Sequence, residues 1–445
     1  MKVCGLIRNV IMNKDINTDP SRIRDILAKS SQLEVLNLSE VSSLIALKDR
    51  GVWDQVFETA HRVKQSVYGK RVVLFAPLYL SNECVNDCIY CGFRKSNRDA
   101  VRKSLSTEEA VTEASLLADR GYRRLLLVDS EHSAGIDYLE KVVDSIYKDT
   151  DIRILHLNAA PMDVEKFRRL KECGVGVYQC FQETYHIPTY RFLHKSGPKA
   201  DYQFRLGVMD RAVEAGFEDL GMGVLLGLYD WRWDVGALIA HSLRLMKKYG
   251  FGPHTLSVPR LQPSQGFDNV STGYAVSDDD FRKIIAIFRL ALPYVGVVVS
   301  TRESAELRDE LFFTGASQMS AGSRTSPWGY INGDDTEQFE VGDKRSLNEV
   351  IDKITSLGLI PSLCTACYRE GRSGERFRHI TEEGTMKRFC LENALLSLKE
   401  YVEDQATGDR RDSLLRMLEH EGARSTNGLI EKFRQIEKGK RDVHI

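Results

Sequence analysis

The sequence predicts an α/β protein, a (β/α)8 TIM-type barrel with a helical N-terminal extension and a mainly helical C-terminal domain. Two observations carry this expectation. Eight short apolar or β-rich runs recur between residues 71 and 323, and most are followed by a stretch with helical periodicity, the alternation that builds a closed parallel barrel. A tight group of cysteines directly follows the first of those runs, where the chemistry of such barrels sits, at the C-terminal ends of the strands.

In chain order, residues 1–70 are polar with helical spacing and form the N-terminal extension. The barrel is assigned to 71–345, with strands expected at 71–80, 124–130, 152–160, 176–183, 219–228, 254–261, 296–302 and 318–323. Helices are expected at 163–173, 201–215, 231–249 and 278–292. Residues 346–445 form the helical C-terminal domain, which contains a second cysteine set.

At 445 residues, 42% hydrophobic and 28% charged, the composition is that of a globular enzyme. Lys plus Arg (62) nearly equal Asp plus Glu (63), so no overall charge footprint for nucleic acid or anionic lipid exists. The N-terminal apolar stretch is short and broken by Arg8, which supports neither a secretory signal nor a membrane span. The expected location is the cytoplasm, whose reducing interior suits free thiols.

Cys84, Cys88 and Cys91 are spaced x3 and x2. Three thiolates on one short loop can hold three irons of a [4Fe–4S] cube and leave the fourth open for a ligand. Zinc normally takes four ligands, and no fourth Cys or His follows at close spacing; disulfide frameworks belong to small secreted domains. Cys364 and Cys367, followed after 22 residues by Cys390, give three ligands again and suit a second cluster, with a zinc knuckle or redox pair as alternatives. Of the remaining cysteines, Cys173 falls at a helix end and Cys180 in a strand, where a thiol acts as a small apolar group; Cys4 lies near the start of the chain.

The strand ends supply further candidates. Glu131, past strand two, suits a cationic amino group, or is a solvated loop acid. Gly223 and Gly227 mark a close approach, to a ligand or within barrel packing. Arg205 can pair bidentately with a carboxylate, or form a surface ion pair. Strand four ends in the polar run 182–186, which includes Glu183; such density on a buried strand favours a ligand site. His254 opens strand six, as a core histidine or a metal ligand, and Ser323 with Arg324 closes strand eight, as a carboxylate clamp or a barrel salt bridge.

Together these segments resemble the aromatic amino acid lyases of the radical S-adenosylmethionine (SAM) superfamily. The matching stretches are 74–82 with the cysteine triplet and Tyr90, then 182–186, 223–231, 252–260, 320–325 and 364–369. Two branches share the barrel: the thiamine-pathway tyrosine lyase, 2-iminoacetate synthase, and the [FeFe]-hydrogenase maturation lyase, the HydG family. The C-terminal cysteines and His254 resemble the second, whereas residues 130–138 resemble the first.

What the resemblance implies is a radical SAM carbon–carbon lyase that cleaves the Cα–Cβ bond of L-tyrosine to p-cresol and dehydroglycine. Dehydroglycine would then yield CO and cyanide at the second cluster for hydrogenase H-cluster assembly; the alternatives are thiazole synthesis or another amino acid substrate. Implied cofactors are SAM and two [4Fe–4S] clusters, the second with an additional iron at His254. Cys84, Cys88 and Cys91 would ligate the first cluster and Cys364, Cys367 and Cys390 the second. Tyr90, Glu131, Arg205, Gly223 and Gly227 would bind SAM, and Ser323, Arg324 and Glu183 would serve the substrate. Implied partners are a reducing electron donor and other hydrogenase maturation proteins, with no nucleic acid and no membrane.

Overall fold

A computed structural model describes residues 16–132, 135–264, 273–333, 336–423 and 427–445; Cys4, Ser133 and Ala134 lie outside them. Eight parallel strands close into a barrel: β1 (Arg71–Ser81), β2 (Arg124–Asp129), β3 (Ile154–Asn158), β4 (Val177–Glu183), β5 (Leu220–Val224), β6 (Thr255–Ser257), β7 (Gly296–Val299) and β8 (Gln318–Ser320). Consecutive strands pair, and β1 closes the ring against both β2 and β8.

All eight expected strands form. The later ones are shorter than expected because their polar ends leave the ladder. β6 stops at Ser257, ahead of Pro259, which has no N–H to donate, and Arg260, which turns to pair with Glu303.

A ninth strand, β9 (Ile360–Ser362), escaped sequence reading. It pairs in parallel with Arg71–Val73, the start of β1, and so joins the C-terminal segment to the barrel's N-terminal mouth. Three residues with a central proline carry too little periodicity to announce a strand.

The expected helices form where their caps allow. Asp163 accepts the amide of Lys166 at the start of Val164–Glu172, and Ser277 accepts that of Asp280 at the start of Asp278–Ala291. Trp231–Tyr249 ends at Gly250 in the left-handed region. The helix expected over 201–215 is broken into Tyr202–Leu206 and Val208–Glu214 at Gly207, a residue that costs about 1 kcal/mol relative to alanine inside a helix.

Helices Pro20–Ser31, Leu38–Ala46 and Arg50–Tyr68 pack on Asp278–Ala291, and the long helix Met386–Asp404 packs on β9, β1 and Arg50–Tyr68. One apolar core runs from Ile23 through the barrel to Val443. Among the described residues no helix is long and apolar enough to cross a membrane.

Candidate active site

The first cysteine loop leaves β1 at Ser81 and is tied down on all sides. Val85 donates its amide to Glu131 O (2.8 Å), Ile89 to Leu193 O (3.1 Å), and Asn86 Oδ1 accepts the amide of Lys199 (2.8 Å). Arg102, which sequence reading passed over, spans the loop base. Its guanidinium donates to the carbonyls of Asn82, Phe93, Arg94 and Asn97 at 2.7–3.0 Å. The signal was present only as one more arginine in a basic stretch.

The three thiols share one open cleft at the C-terminal ends of the strands. The amide of Asn86 points at Cys84 Sγ (3.4 Å), and Cys88 and Tyr90 are buried in a small apolar cluster with Leu193 and Leu225. Burial pushes the Cys88 thiol up to about 12, with Lys199 opposing and Cys91 and Cys84 reinforcing; Cys91 is raised chiefly by burial as well. Such thiols lose their protons when a metal replaces them.

Tyr90 is locked in place. Burial pushes His194 down to about 3, so its ring is neutral. Its Nδ1–H donates to Tyr190 O (2.7 Å), which leaves Nε2 to accept from the Tyr90 hydroxyl at 2.9 Å.

One wall of the cleft is a row of alternating charges. Lys199 Nζ lies 2.7 Å from Glu183 Oε1, Arg205 lies 3.5 Å from Glu183 and 3.6 Å from Glu131, and Arg205 Nε donates to Phe181 O at 2.6 Å. Burial works to raise the Glu183 carboxyl, but Lys199 and Arg205 hold it below its ordinary value. Glu183 also adopts φ +66°, a left-handed conformation costly for a side-chain-bearing residue, which aims it into the cleft.

The remainder of the polar run at the end of β4 turns away and anchors the strand to helix Trp231–Tyr249. Asp234 accepts from the Tyr185 amide (2.7 Å) and Thr184 Oγ1 (3.0 Å), and Tyr185 Oη meets His241 Nδ1 at 2.9 Å. Gly223 lies outside the cleft. A Cβ there would meet Ser257 O at 2.1 Å, so its lack of a side chain serves strand packing. Gly227 takes φ +103° in the turn after β5.

The cleft opens into a cavity in the barrel lumen, with Val128, Asn158, Phe181 and Arg302 bordering both. Ser323 lines it, buried, and its hydroxyl has no hydrogen-bond partner among the described residues. Arg324 is exposed and lines neither space. The arginine that borders both is Arg302, just beyond β7, whose guanidinium lies 3.4 Å from the centre of the Phe339 ring. Strand periodicity does not tell which of two arginines in post-strand turns faces inward.

The second cysteine set is at the opposite mouth. Cys364, Cys367 and Cys390 line a small cavity with Arg71, Arg124, Gln318 and His254, residues at or beside the N-terminal ends of β1, β2, β8 and β6. Further along the same strands, Phe75, four residues past Arg71, and Leu126 and Ser320, two past Arg124 and Gln318, line the lumen. Side chains an even number of positions apart share a strand face, so the two sets of residues face the same barrel interior at successive levels.

His254 Nδ1 sits 3.0 Å from Asp219 Oδ1, close enough for an ion pair but off hydrogen-bond angle, and its ring packs 4.3 Å from Phe377. Burial pushes the Cys367 thiol up to about 12, with Cys390 and Cys364 reinforcing. Cys173 ends a helix and Cys180 is buried in β4, away from both sets.

Comparison with known proteins agrees with this architecture. Residues 78–239 match the radical SAM superfamily and residues 257–360 the biotin and thiamin synthesis associated domain. A crystal structure of HydG, a maturase of the [FeFe]-hydrogenase, superposes with TM-score 0.94 at 39% identity, covering 99% of both chains. HydG from Carboxydothermus hydrogenoformans gives TM-score 0.84 at 39% identity over 98% of this chain and 96% of that one. The 2-iminoacetate synthase of Escherichia coli (strain K12) is 34% identical over 330 residues, 73% of this chain and 86% of that protein. Radical SAM proteins use SAM and a [4Fe–4S] cluster, and three thiols converging on one cleft beside a zwitterion-sized row of charges fit that pair. The chain therefore belongs to the HydG family of radical SAM enzymes, related to 2-iminoacetate synthase.

Proposed function

We propose that this protein cleaves the Cα–Cβ bond of L-tyrosine to p-cresol and dehydroglycine, and that dehydroglycine yields CO and cyanide at a second Fe–S cluster for [FeFe]-hydrogenase H-cluster assembly. The observation that carries the reading is the pair of cysteine triads at opposite mouths of one barrel, with His254 beside the second. A single-cluster lyase has no use for the second triad.

In this reading Cys84, Cys88 and Cys91 hold the first cluster, and Cys364, Cys367 and Cys390 the second, with His254 at an additional iron. The cluster and SAM, when bound, supply one-electron cleavage of a sulfonium, the source of a hydrogen-abstracting radical.

The chain's own residues do the positioning. A zwitterionic amino acid end enters the charge row with its amino group toward Glu131 and Glu183 and its carboxylate toward Arg205 and Lys199, exchanging internal ion pairs for ligand pairs. Arg302 and the hydroxyl of Ser323 take the tyrosine carboxylate at the rim of the lumen. The lumen, closed by the barrel wall, carries dehydroglycine away from bulk water toward the other mouth. Its partners are a reducing electron donor and other hydrogenase maturation proteins.

A second reading stops at dehydroglycine, as in thiazole synthesis. It is favoured by the identity with the Escherichia coli 2-iminoacetate synthase and by the Glu131 loop, where His132 pairs with Asp129 at 2.9 Å. Anaerobic turnover of the reconstituted protein with SAM, dithionite and tyrosine tests both. p-Cresol with trapped CO is expected, cresol without CO selects the second reading, and SAM cleavage with neither product points to another amino acid.

A further inference from the structure

The N-terminal mouth of the barrel holds two buried guanidiniums that no carboxylate of the described residues pairs with. Arg71 opens β1 and Arg124 opens β2; both are buried, 7% and 5% exposed, and both line the cavity of the second cysteine set. Among the described residues neither guanidinium meets a carboxylate, and the Nε of each has no acceptor.

Aromatic faces and one carbonyl hold them instead. Arg71 lies 4.9 Å from the Tyr68 ring centre and Arg124 5.0 Å from that of Tyr368, and Arg124 Nη2 donates to Cys364 O at 2.5 Å. Behind Arg71, Lys64 is fully buried, and its ammonium has no hydrogen-bond partner among the described residues. Burial, then Arg289 and Arg71, push that ammonium down to about 7. A carboxylate at this mouth, Asp219, lies 3.0 Å from His254 rather than against either guanidinium. Unpaired buried cations are among the costliest features a fold can carry, so the arrangement is built around negative charge that arrives from elsewhere.

We propose that Arg71 and Arg124 form a cationic seat for a net-negative ligand at the second cysteine set, a thiolate-ligated iron–sulfur cluster whose charge the two guanidiniums balance. This rests on the reading of Cys364, Cys367 and Cys390 as a cluster site. Three thiolates outweigh the charge of a [4Fe–4S] core, so the bound cluster is anionic, and more so when reduced. Two adjacent cations therefore raise its reduction potential.

The test uses the full chain, reconstituted anaerobically, with EPR-monitored redox titration of the wild type, R71Q/R124Q and the charge-keeping R71K/R124K. The first cluster, at the other mouth, is the internal control. The Gln pair is expected to shift the second cluster to lower potential, or to lose it, with the first cluster unchanged, and the Lys pair to restore it.

A Gln pair with wild-type iron content and potential overturns the proposal, as does a Lys pair that fails like the Gln pair, since shape rather than charge would then matter. Should the Gln pair lose both clusters, R71Q and R124Q alone are each expected to show a smaller shift in the same direction, and no shift in either overturns it. A wild type that takes up only one cluster's worth of iron sinks the second-cluster reading itself, and is recognised before any variant is compared.

Discussion

Arg302 and Arg324 divide the carboxylate question between them. Arg302 borders both the cysteine cleft and the lumen, whereas Arg324 is exposed. Replacing Arg302 by Lys keeps the charge but loses the planar fork that pairs with a carboxylate. Loss of a charge-assisted bond costs about 1.5–3 kcal/mol, so R302K is expected to raise KM for tyrosine by roughly tenfold or more. Substrate-free SAM cleavage should stay near wild type, and R324A should stay within about twofold on both counts. Steady-state kinetics on the three proteins decide it, and an R324A defect equal to that of R302K would return the clamp to Arg324. At this scale sequence identified residue types better than orientations. The six cysteines of the two sets announced themselves by spacing, and the structure gathers them into two triads. Arg205 and Glu131, read separately as ligands, prove to face each other at 3.6 Å, a relation that a sequence does not carry.

Among the elements, two joints hold the site in shape. The cysteine loop hangs from Arg102, whose four bonds to carbonyls replace the secondary structure the loop lacks. R102A leaves those carbonyls without their donor and is expected to lower first-cluster iron several-fold, measured as iron per chain in a C364A/C367A background, where only the first site can load. Equal iron in R102A and its parent would show the loop to be self-supporting. The second joint is Asp234, which ties the end of β4 to helix Trp231–Tyr249 and is pushed up to about 7 by burial, against the bonds from Tyr185 and Thr184. A carboxyl whose native pKa lies above its unfolded value near 4 stabilises fully below that value, and the stability fades as pH rises through about 7. The amplitude is at most about 4 kcal/mol, and D234N, which keeps an acceptor oxygen, should flatten the slope between about pH 4 and 7 in denaturant melts. An unchanged slope in D234N would remove Asp234 from the pH response. Element existence was legible because apolar runs and helical periods are strong signals. β9 was not, since its three residues are ordered by pairing with β1 rather than by their own pattern.

For the whole molecule, the placement of the two cysteine sets is the property that makes a division of labour testable. The first triad sits beyond the C-terminal ends of the strands, the second beside their N-terminal ends, and the lumen lies between. Sequence placed the first at an active mouth because it follows β1. It could not place the second, because β9 and the long helix carrying Cys390 fold back under the barrel through contacts distant in sequence. If each mouth performs its own step, damage at one should leave the other's chemistry standing. C88A is expected to abolish SAM cleavage and every product. C367A is expected to keep p-cresol formation within about threefold of wild type and to eliminate trapped CO, since additivity holds for sites that share no partner. Narrowing the lumen at Ser320, two residues past Gln318 along β8, separates passage from chemistry. With S320L, cresol should persist, while CO falls and dehydroglycine breakdown products appear in bulk solution. Cresol lost in C367A would show that the second triad is needed for the first step. CO undiminished in S320L, with cresol intact, would mean that the intermediate crosses between the mouths by a route other than the barrel interior.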